Sequence, residues 1–330
     1  MQFILKAEEL EALENYLKEK KWIAPDESLN SASKPGEGNM NYTLRIRTNF
    51  RNFIIKQSRD YVEKYPQISA PRERAIIEGK FYELIQENAT LKAFTPEITA
   101  MDEVNSIIVL EDLGESNDYT FIYEKGKEIS SEDLKGIMNF ASILHQNFRN
   151  EEGPSPVPNR AMRELNAEHI FNYPFMEENG FDLNDVTPGL QDIALTYKTD
   201  QTFKSVVQDL SSYYTEDGKT LLHGDYYPGS WLKTLEGVRI IDPEFCFYGQ
   251  AEFDVSVTLA HMLMAEQSSS IQEQVLKDYE APEDFSQGVV YKLAGIEIMR
   301  RLIGLAQLPL PLDLNQKEAL LKEAYKMVMS

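Results

Sequence analysis

Apolar residues recur at helical spacing near the start of the chain, at Leu10, Leu13, Tyr16 and Leu17, and predict a first helix. A Gly/Pro/Ser-rich stretch from Ser31 to Asn39 interrupts the pattern. Alternation then sets in at Tyr42, Leu44 and Ile46, which predicts a half-buried strand. A turn around Thr48-Asn49 leads into Phe53-Ile54-Ile55-Lys56, a second strand, and the two read as an antiparallel hairpin. Residues 57–71 are polar and read as irregular. Pro71 is expected to open a helix, because proline suits the first turn. Ile76, Ile77, Phe81, Leu84 and Ile85 give that helix an apolar face. Ser106 to Leu110 predicts a short buried strand that runs into Glu111-Asp112-Leu113-Gly114.

Beyond Gly114 the periodicity changes to mainly helical. Ser130 with Asp133 has the form of a capping box, and Leu134, Ile137, Met138, Ala141 and Leu144 follow at helical spacing. Pro154-Ser155-Pro156-Val157-Pro158 reads as a surface connector, and helical segments of mixed quality fill 160–215. Two short apolar runs then end at aspartates. Leu221-Leu222 leads to His223-Gly224-Asp225, and Val238 to Ile241 leads to Asp242-Pro243-Glu244. Apolar helices are expected at about 253–265 and 286–306. Strands first and helices later predict an α+β protein. A small antiparallel-sheet lobe is expected over 1–113 and a larger, mainly helical lobe over 114–330.

Composition narrows the class. Of the 330 residues, 42% are hydrophobic and 26% charged, as in a globular protein. Cys246 is the one cysteine, so no internal disulfide is possible and a reducing compartment is expected. The N-terminus turns acidic too early for a signal peptide. No apolar run reaches the roughly 18–20 residues of a membrane span. A cytoplasmic protein is therefore expected. The net charge of −21 repels nucleic acid and anionic membranes, which excludes both as partners and leaves a small molecule. The oligomeric state stays open, with a homodimer as one alternative.

The two aspartates suit phosphoryl transfer. Asp225 lies in a Gly- and Pro-containing loop, where a carboxylate can accept the proton of an attacking hydroxyl. Ser230, five positions on, can offer an oxygen to a metal or to the loop itself. Asp242, with Glu244, supplies the one or two carboxylates that Mg²⁺ needs when phosphates and water complete its shell. Lys56 closes an apolar strand, from which it can reach nucleotide phosphates. Glu78 on the next helix is its natural ion-pair partner. Gly38 and Asn39, in Gly36-Glu37-Gly38-Asn39, can bring backbone N–H groups to phosphates. Arg300 and Arg301 sit in an apolar helix. At about 100° per residue they diverge, so one is expected to reach a ligand and the other to face water or a structural partner. His223 reads as a hydrogen-bonder of its loop rather than the base.

With these residues assembled, the chain resembles the aminoglycoside phosphotransferase/choline kinase superfamily. Within it, the chain is most similar to the 5-methylthioribose kinases. The resemblance rests on Gly38 to Tyr42, Ile55-Lys56-Gln57, Arg74 to Glu78, His223-Gly224-Asp225 with Gly229-Ser230, Asp242 to Gly249, and Arg300 to Ala306. It implies a bilobal protein-kinase-like fold and ATP- and Mg²⁺-dependent phosphorylation of 5-methylthioribose. It further implies that Gly38, Asn39 and Lys56 contact ATP, and that Leu110, Glu111 and Asp112 form the hinge beside adenine. Asp225 would be the base, Asp242, Glu244 and Ser230 would serve the metal, and Arg300 or Arg301 would bind the sugar. One departure bears on the acceptor. Where the family usually has Leu-His-Thr after the catalytic aspartate, this chain has Tyr226-Tyr227-Pro228. An aminoglycoside, choline or another small hydroxyl compound is the alternative acceptor. A nucleotide-binding pseudokinase is the alternative in a different class.

Overall fold

The computed structural model describes residues 3–36 and 40–330. It divides into two compact units, Met1–Ser116 and Asn117–Ser330.

The first unit is built on a five-stranded antiparallel sheet. Helix α1 (Leu10–Glu19) precedes β1 (Leu29–Ser33), β2 (Tyr42–Thr48) and β3 (Asn52–Gln57). A small hairpin, β4 (Tyr61–Val62) and β5 (Tyr65–Ser69), leads to α2 (Arg74–Ile85) and α3 (Ala89–Phe94). Strands β6 (Ile98–Asp102) and β7 (Ile107–Glu111) complete the sheet in the order β1-β2-β3-β7-β6. Period-2 alternation decides which residues face which side. Leu44, Ile46, Phe53, Ile55, Ile107 and Val109 are buried with Leu13, Tyr16 and Leu17 of α1 in one core cluster. Lys56 points to the opposite face. There it pairs in register with Ile108 of β7, beside α2. A Cβ on Gly79 would lie 3.0–3.2 Å from Ile98, Met101 and Ile108, so glycine is what lets α2 settle this close to the sheet.

Three details of the sequence reading are corrected. The Ser-rich stretch contributes a strand, β1, whose residues are mainly polar and none fully buried, which hides the alternation. Residues 57–71 are not irregular, since they include the β4–β5 hairpin. Pro71 does not open α2. It lies in the preceding turn, and the buried Arg74 guanidinium donates to the carbonyls of Pro71 (2.8 Å), Met40 (2.7 Å) and Tyr61 (3.0 Å).

The second unit begins with β8 (Asn117–Asp118). Helix α4 (Ser131–Asn147) follows, with the Ser130 hydroxyl accepting from the Asp133 N–H at 3.0 Å. Then come α5 (Arg160–Ala167), α6 (Leu190–Lys198) and α7 (Gln201–Thr215). The short strands are β9 (Thr220–Leu222), β10 (Trp231–Thr234), β11 (Gly237–Ile240) and β12 (Phe247–Gly249). They pair as β9 with β12 and as β11-β10-β8. The chain closes with α8 (Glu252–Met264), α9 (Ser269–Lys277), α10 (Gln287–Ile303) and α11 (Leu314–Met329). Helices α8 and α10 are buried around nearly all of their circumference and form the centre of this unit. Asp225 follows β9 and Asp242 follows β11, so β10 lies between the two aspartate-bearing strands in sequence. No helix among the described residues is long and apolar enough to cross a membrane.

Candidate active site

The loop carrying Asp225 is fixed mainly through its backbone. Asp254, buried in α8, accepts from the N–H of His223 at 2.7 Å and of Gly224 at 3.0 Å. His145 Nε2 lies 3.2 Å from the same carboxylate. The His223 ring bridges to the next loop. Its Nε2 donates to the Ile241 carbonyl at 2.9 Å, and its Nδ1 accepts the Asp225 N–H at 3.4 Å. Burial pushes the His223 pKa down, consistent with this neutral, structural role. Gly224 has φ of 84°, and a Cβ there would stand 2.1 Å from the Phe245 carbonyl oxygen. Only glycine permits that approach, which brings the Asp225 loop against the Asp242–Phe245 segment. The Ser230 hydroxyl donates to the Asp225 carbonyl at 2.8 Å, and the Tyr226 hydroxyl donates to the Ile137 carbonyl at 2.7 Å.

Asp242 itself adopts a left-handed conformation, φ 63° and ψ 46°, uncommon for a residue with a side chain. A 3₁₀ turn, Pro243–Phe245, follows and buries Glu244. The Asn159 amide secures this turn by donating to the carbonyls of Glu244 (3.0 Å) and Cys246 (2.9 Å). Strain at such a position persists only where the surroundings over-determine it. Here the His223, Gly224 and Asn159 contacts do so.

Arg300 and Arg301 both turn inward, contrary to the expectation that they would diverge. They are 8% and 7% exposed. The reason is Glu297, three and four residues earlier on α10. Arg301 Nε donates to Glu297 Oε1 at 2.6 Å, and Arg300 Nη1 donates to Oε2 at 3.0 Å. Arg300 Nη2 also reaches Asn166 Oδ1 at 3.4 Å. The outer edge of Arg301 lies 3.6 Å from Asp225 Oδ1, and its guanidinium stacks on the Tyr227 ring at 5.0 Å. Burial alone would raise the Glu297 pKa, but the two guanidiniums and His261 outweigh it and hold the carboxyl well below the usual range. Asp225 is displaced the other way. Burial raises its pKa, opposed in part by Arg301 and Arg300.

In the first unit, Lys56 Nζ donates to Glu78 Oε1 at 2.8 Å, with both groups buried. Leu110 is buried and Glu111 exposed. Asp112 forms an ion pair with Arg45, whose Nε lies 2.9 Å away, and accepts from the Gly114 N–H at 3.0 Å. Gly38 and Asn39 lie outside the described residues.

Asp254, Glu297 and Asn166 are absent from the sequence reading. The signal for the first two was present, since each is a carboxylate inside an otherwise apolar helical run. Glu297 also sits at the i−3 and i−4 positions of the arginines, where side chains meet.

The model of the phosphotransferase enzyme family matches residues 34–288, most of this chain. The chain belongs to that family. The matched stretch contains Lys56, Glu78, Asp225, Asp242 and Glu244, while Arg300 and Arg301 lie beyond it. It is 26% identical to a methylthioribose kinase of Bacillus cereus, over 69% of this chain and 59% of that protein. It is also 26% identical to methylthioribose kinase 1 of Oryza sativa subsp. japonica, over 70% of this chain and 55% of that protein. The alignments thus span less than two thirds of these relatives. Among solved structures, choline kinase from Streptococcus pneumoniae superposes with a TM-score of 0.54 at 15% identity, over 96% of this chain and 99% of that one. Spectinomycin phosphotransferase in complex with ADP and spectinomycin gives 0.51 at 11% identity, over 99% of each chain. These likenesses bear out the α+β, protein-kinase-like fold expected from the sequence.

Proposed function

We propose that the protein is an ATP- and Mg²⁺-dependent small-molecule kinase whose acceptor is a hydroxyl of 5-methylthioribose. The observation that carries this reading is the guanidinium of Arg301 set 3.6 Å from Asp225, with Arg300 beside it on the same buried carboxylate. Two guanidiniums next to the candidate base suit a neutral polyhydroxyl acceptor and disfavour a cationic one. The methylthioribose kinase relatives support the same substrate class.

Asp225 orients the acceptor hydroxyl and takes its proton as the oxygen attacks the γ-phosphate. Its partly buried setting raises its basicity, while Arg301 keeps it available as the anion. Asp242 and Glu244 offer oxygen ligands only, which suits a hard cation. The Ser230 proton is committed to the Asp225 carbonyl, so the hydroxyl oxygen remains an acceptor. Phosphates and water would complete the shell of such an ion. Mg²⁺, when bound there, would neutralise charge on the nucleotide phosphates. In the first unit, Lys56, held by Glu78, would bind nucleotide phosphates, and Leu110 to Asp112 would border adenine.

The test is ADP release with a panel of acceptors, methylthioribose first, then choline and aminoglycosides. Turnover with methylthioribose supports the reading, and turnover with choline or an aminoglycoside alone overturns the substrate. Absence of thermal stabilisation by ATP-Mg²⁺ overturns the kinase reading, because a ligand bound only by the native state must raise the melting temperature.

A further inference from the structure

One buried histidine remains outside the roles above. His261, on α8, is fully buried and hydrogen-bonds at both ring nitrogens. Its Nε2 lies 3.2 Å from Glu297 Oε1, and its Nδ1 lies 2.6 Å from the Tyr123 hydroxyl. A proton inventory fixes the direction of these bonds. Glu297 is ionised and can only accept, so Nε2 carries the proton. Burial lowers the His261 pKa to about 4, so the ring is neutral and Nδ1 is bare. The Tyr123 hydroxyl must then donate to Nδ1. The result is a directed chain, Tyr123 O–H to Nδ1, Nε2–H to Glu297 Oε1, with Arg301 Nε–H donating to that same oxygen.

His261 also packs against the Tyr227 ring, with centroids 5.3 Å apart, while Arg301 stacks on that same ring. The histidine therefore touches two of the three groups that locate the Arg301 guanidinium. The third is Asp225.

We propose that His261 is a positioning residue for the acceptor side of the site: through Glu297 and Tyr227 it sets the orientation of Arg301 beside Asp225. This rests on the kinase reading above for its kinetic consequence, but not for its structural one. The histidine touches no reacting group. It acts by limiting where Glu297 can place its carboxylate. Without the Nε2–H donor, Oε1 keeps only the Arg301 bond, and the arginines alone, Arg301 at Oε1 and Arg300 at Oε2, then hold the carboxylate.

The experiment compares His261→Phe, His261→Gln and Tyr123→Phe. Phenylalanine keeps the ring volume and removes both nitrogens. Glutamine restores an amide donor toward Glu297. Tyr123→Phe leaves the Nε2–H donor and removes only the hydroxyl behind it. With methylthioribose as acceptor, His261→Phe is expected to raise the acceptor KM roughly tenfold or more while leaving the KM for ATP unchanged, the scale of one lost hydrogen bond to a charged group. His261→Gln recovers most of that loss, and Tyr123→Phe has the smallest effect. A parallel rise in both KM values, or no recovery with glutamine, overturns the proposal.

Acceptor-independent evidence comes from ¹⁵N-arginine NMR. The Arg301 Nε–H signal, assigned by its loss in Arg301→Lys, is expected to exchange slowly in the wild type and about tenfold faster or more in His261→Phe. Unchanged exchange overturns the proposal. Failure of the wild type to use any acceptor removes the proposed function, and the exchange measurement then decides the role of His261 by itself. If His261→Phe does not fold, His261→Leu, which also removes both ring nitrogens, takes its place in both comparisons, and an Arg301 exchange rate unchanged in it overturns the proposal.

Discussion

Replacing Asp254 by asparagine should loosen the loop that bears Asp225 at a cost that can be worked from its contacts. The carboxylate accepts the N–H groups of His223 (2.7 Å) and Gly224 (3.0 Å) and lies 3.2 Å from His145 Nε2. Hydrogen bonds to a charged group contribute roughly 1.5–3 kcal/mol each, and a buried donor left unsatisfied costs about 1–3 kcal/mol. Asparagine keeps one acceptor oxygen and turns an NH₂ toward the other donor. One charged bond is lost, a second is weakened and one buried N–H is stranded, which gives about 3–5 kcal/mol of destabilisation in the second unit. Urea unfolding in a Trp22→Phe background reports that unit through Trp231, because the sequence holds only two tryptophans. Because the same bonds hold the backbone just before Asp225, kcat should also fall, roughly 10- to 100-fold, the scale of a misplacement of about 1 Å. A loss of stability below about 1 kcal/mol would show that Asp254 is not the clamp, and would refute the reasoning.

Gly224→Ala places a Cβ 2.1 Å from the Phe245 carbonyl at φ of 84° and should cost on the order of 3 kcal/mol or more, measured in the same unfolding assay; a neutral outcome would mean the two loops are not in contact. Lys56→Met leaves the Glu78 charge buried without its ion-pair partner at 2.8 Å and should lower stability by about 3–5 kcal/mol, with Lys56→Met/Glu78→Gln recovering much of the loss in a thermal melt; a double variant no better than the single would count against the pair. The lowered His261 pKa also has a pH signature. Below 6.5 the unfolded chain takes up a proton that the native chain, with a pKa of about 4, refuses, so this contribution to stability is present above pH 6.5 and is lost as the pH falls toward 4. Wild type should therefore lose roughly 2 kcal/mol more than His261→Gln between pH 7 and 5, and parallel urea-midpoint curves would contradict the assignment.

Elements whose signal is local and periodic were legible in the sequence. Strand β2 alternates because one face of it packs on α1, and β3 is marked by its apolar run Phe53-Ile54-Ile55. The chain turns at Asp225 and Asp242 were visible because glycine and proline mark them. Strand β1 was hidden because three of its five residues are polar and none is fully buried, and the β4–β5 hairpin is two short strands with little core to bury. The inward turn of both arginines was hidden for a different reason. Helical periodicity treats residues one position apart as diverging, yet a carboxylate at i−3 and i−4 can gather two long guanidinium side chains onto itself. Periodicity describes Cβ directions, whereas a long cation goes where its counter-ion is buried. Asp254 escaped for a related reason, since its partners are backbone N–H groups some thirty residues away, which no side-chain pattern records.

The two overlooked carboxylates are held in the same way. Tyr279 O–H faces His145 Nδ1 at 2.7 Å and His145 Nε2 faces Asp254 at 3.2 Å; Tyr123 O–H faces His261 Nδ1 at 2.6 Å and His261 Nε2 faces Glu297 at 3.2 Å. A buried carboxylate is stable only when its lone pairs are satisfied, and a cation for every oxygen would add charges that themselves need burial. At Glu297 the neutral His261 gives one N–H without a charge, and Tyr123 behind it supplies the donor its other nitrogen requires. Each carboxylate then keeps its remaining lone pairs for the task nearer the site. For Asp254 that task is the backbone of the Asp225 loop. For Glu297 it is the two guanidiniums. The second unit thus fixes its base through the main chain and its cations through side chains, from two Tyr–His–carboxylate relays anchored on α8 and α10. Because α8 carries both Asp254 and His261, a shift of that one helix would disturb the base and the arginines together, whereas a change confined to Glu297 would disturb only the arginines.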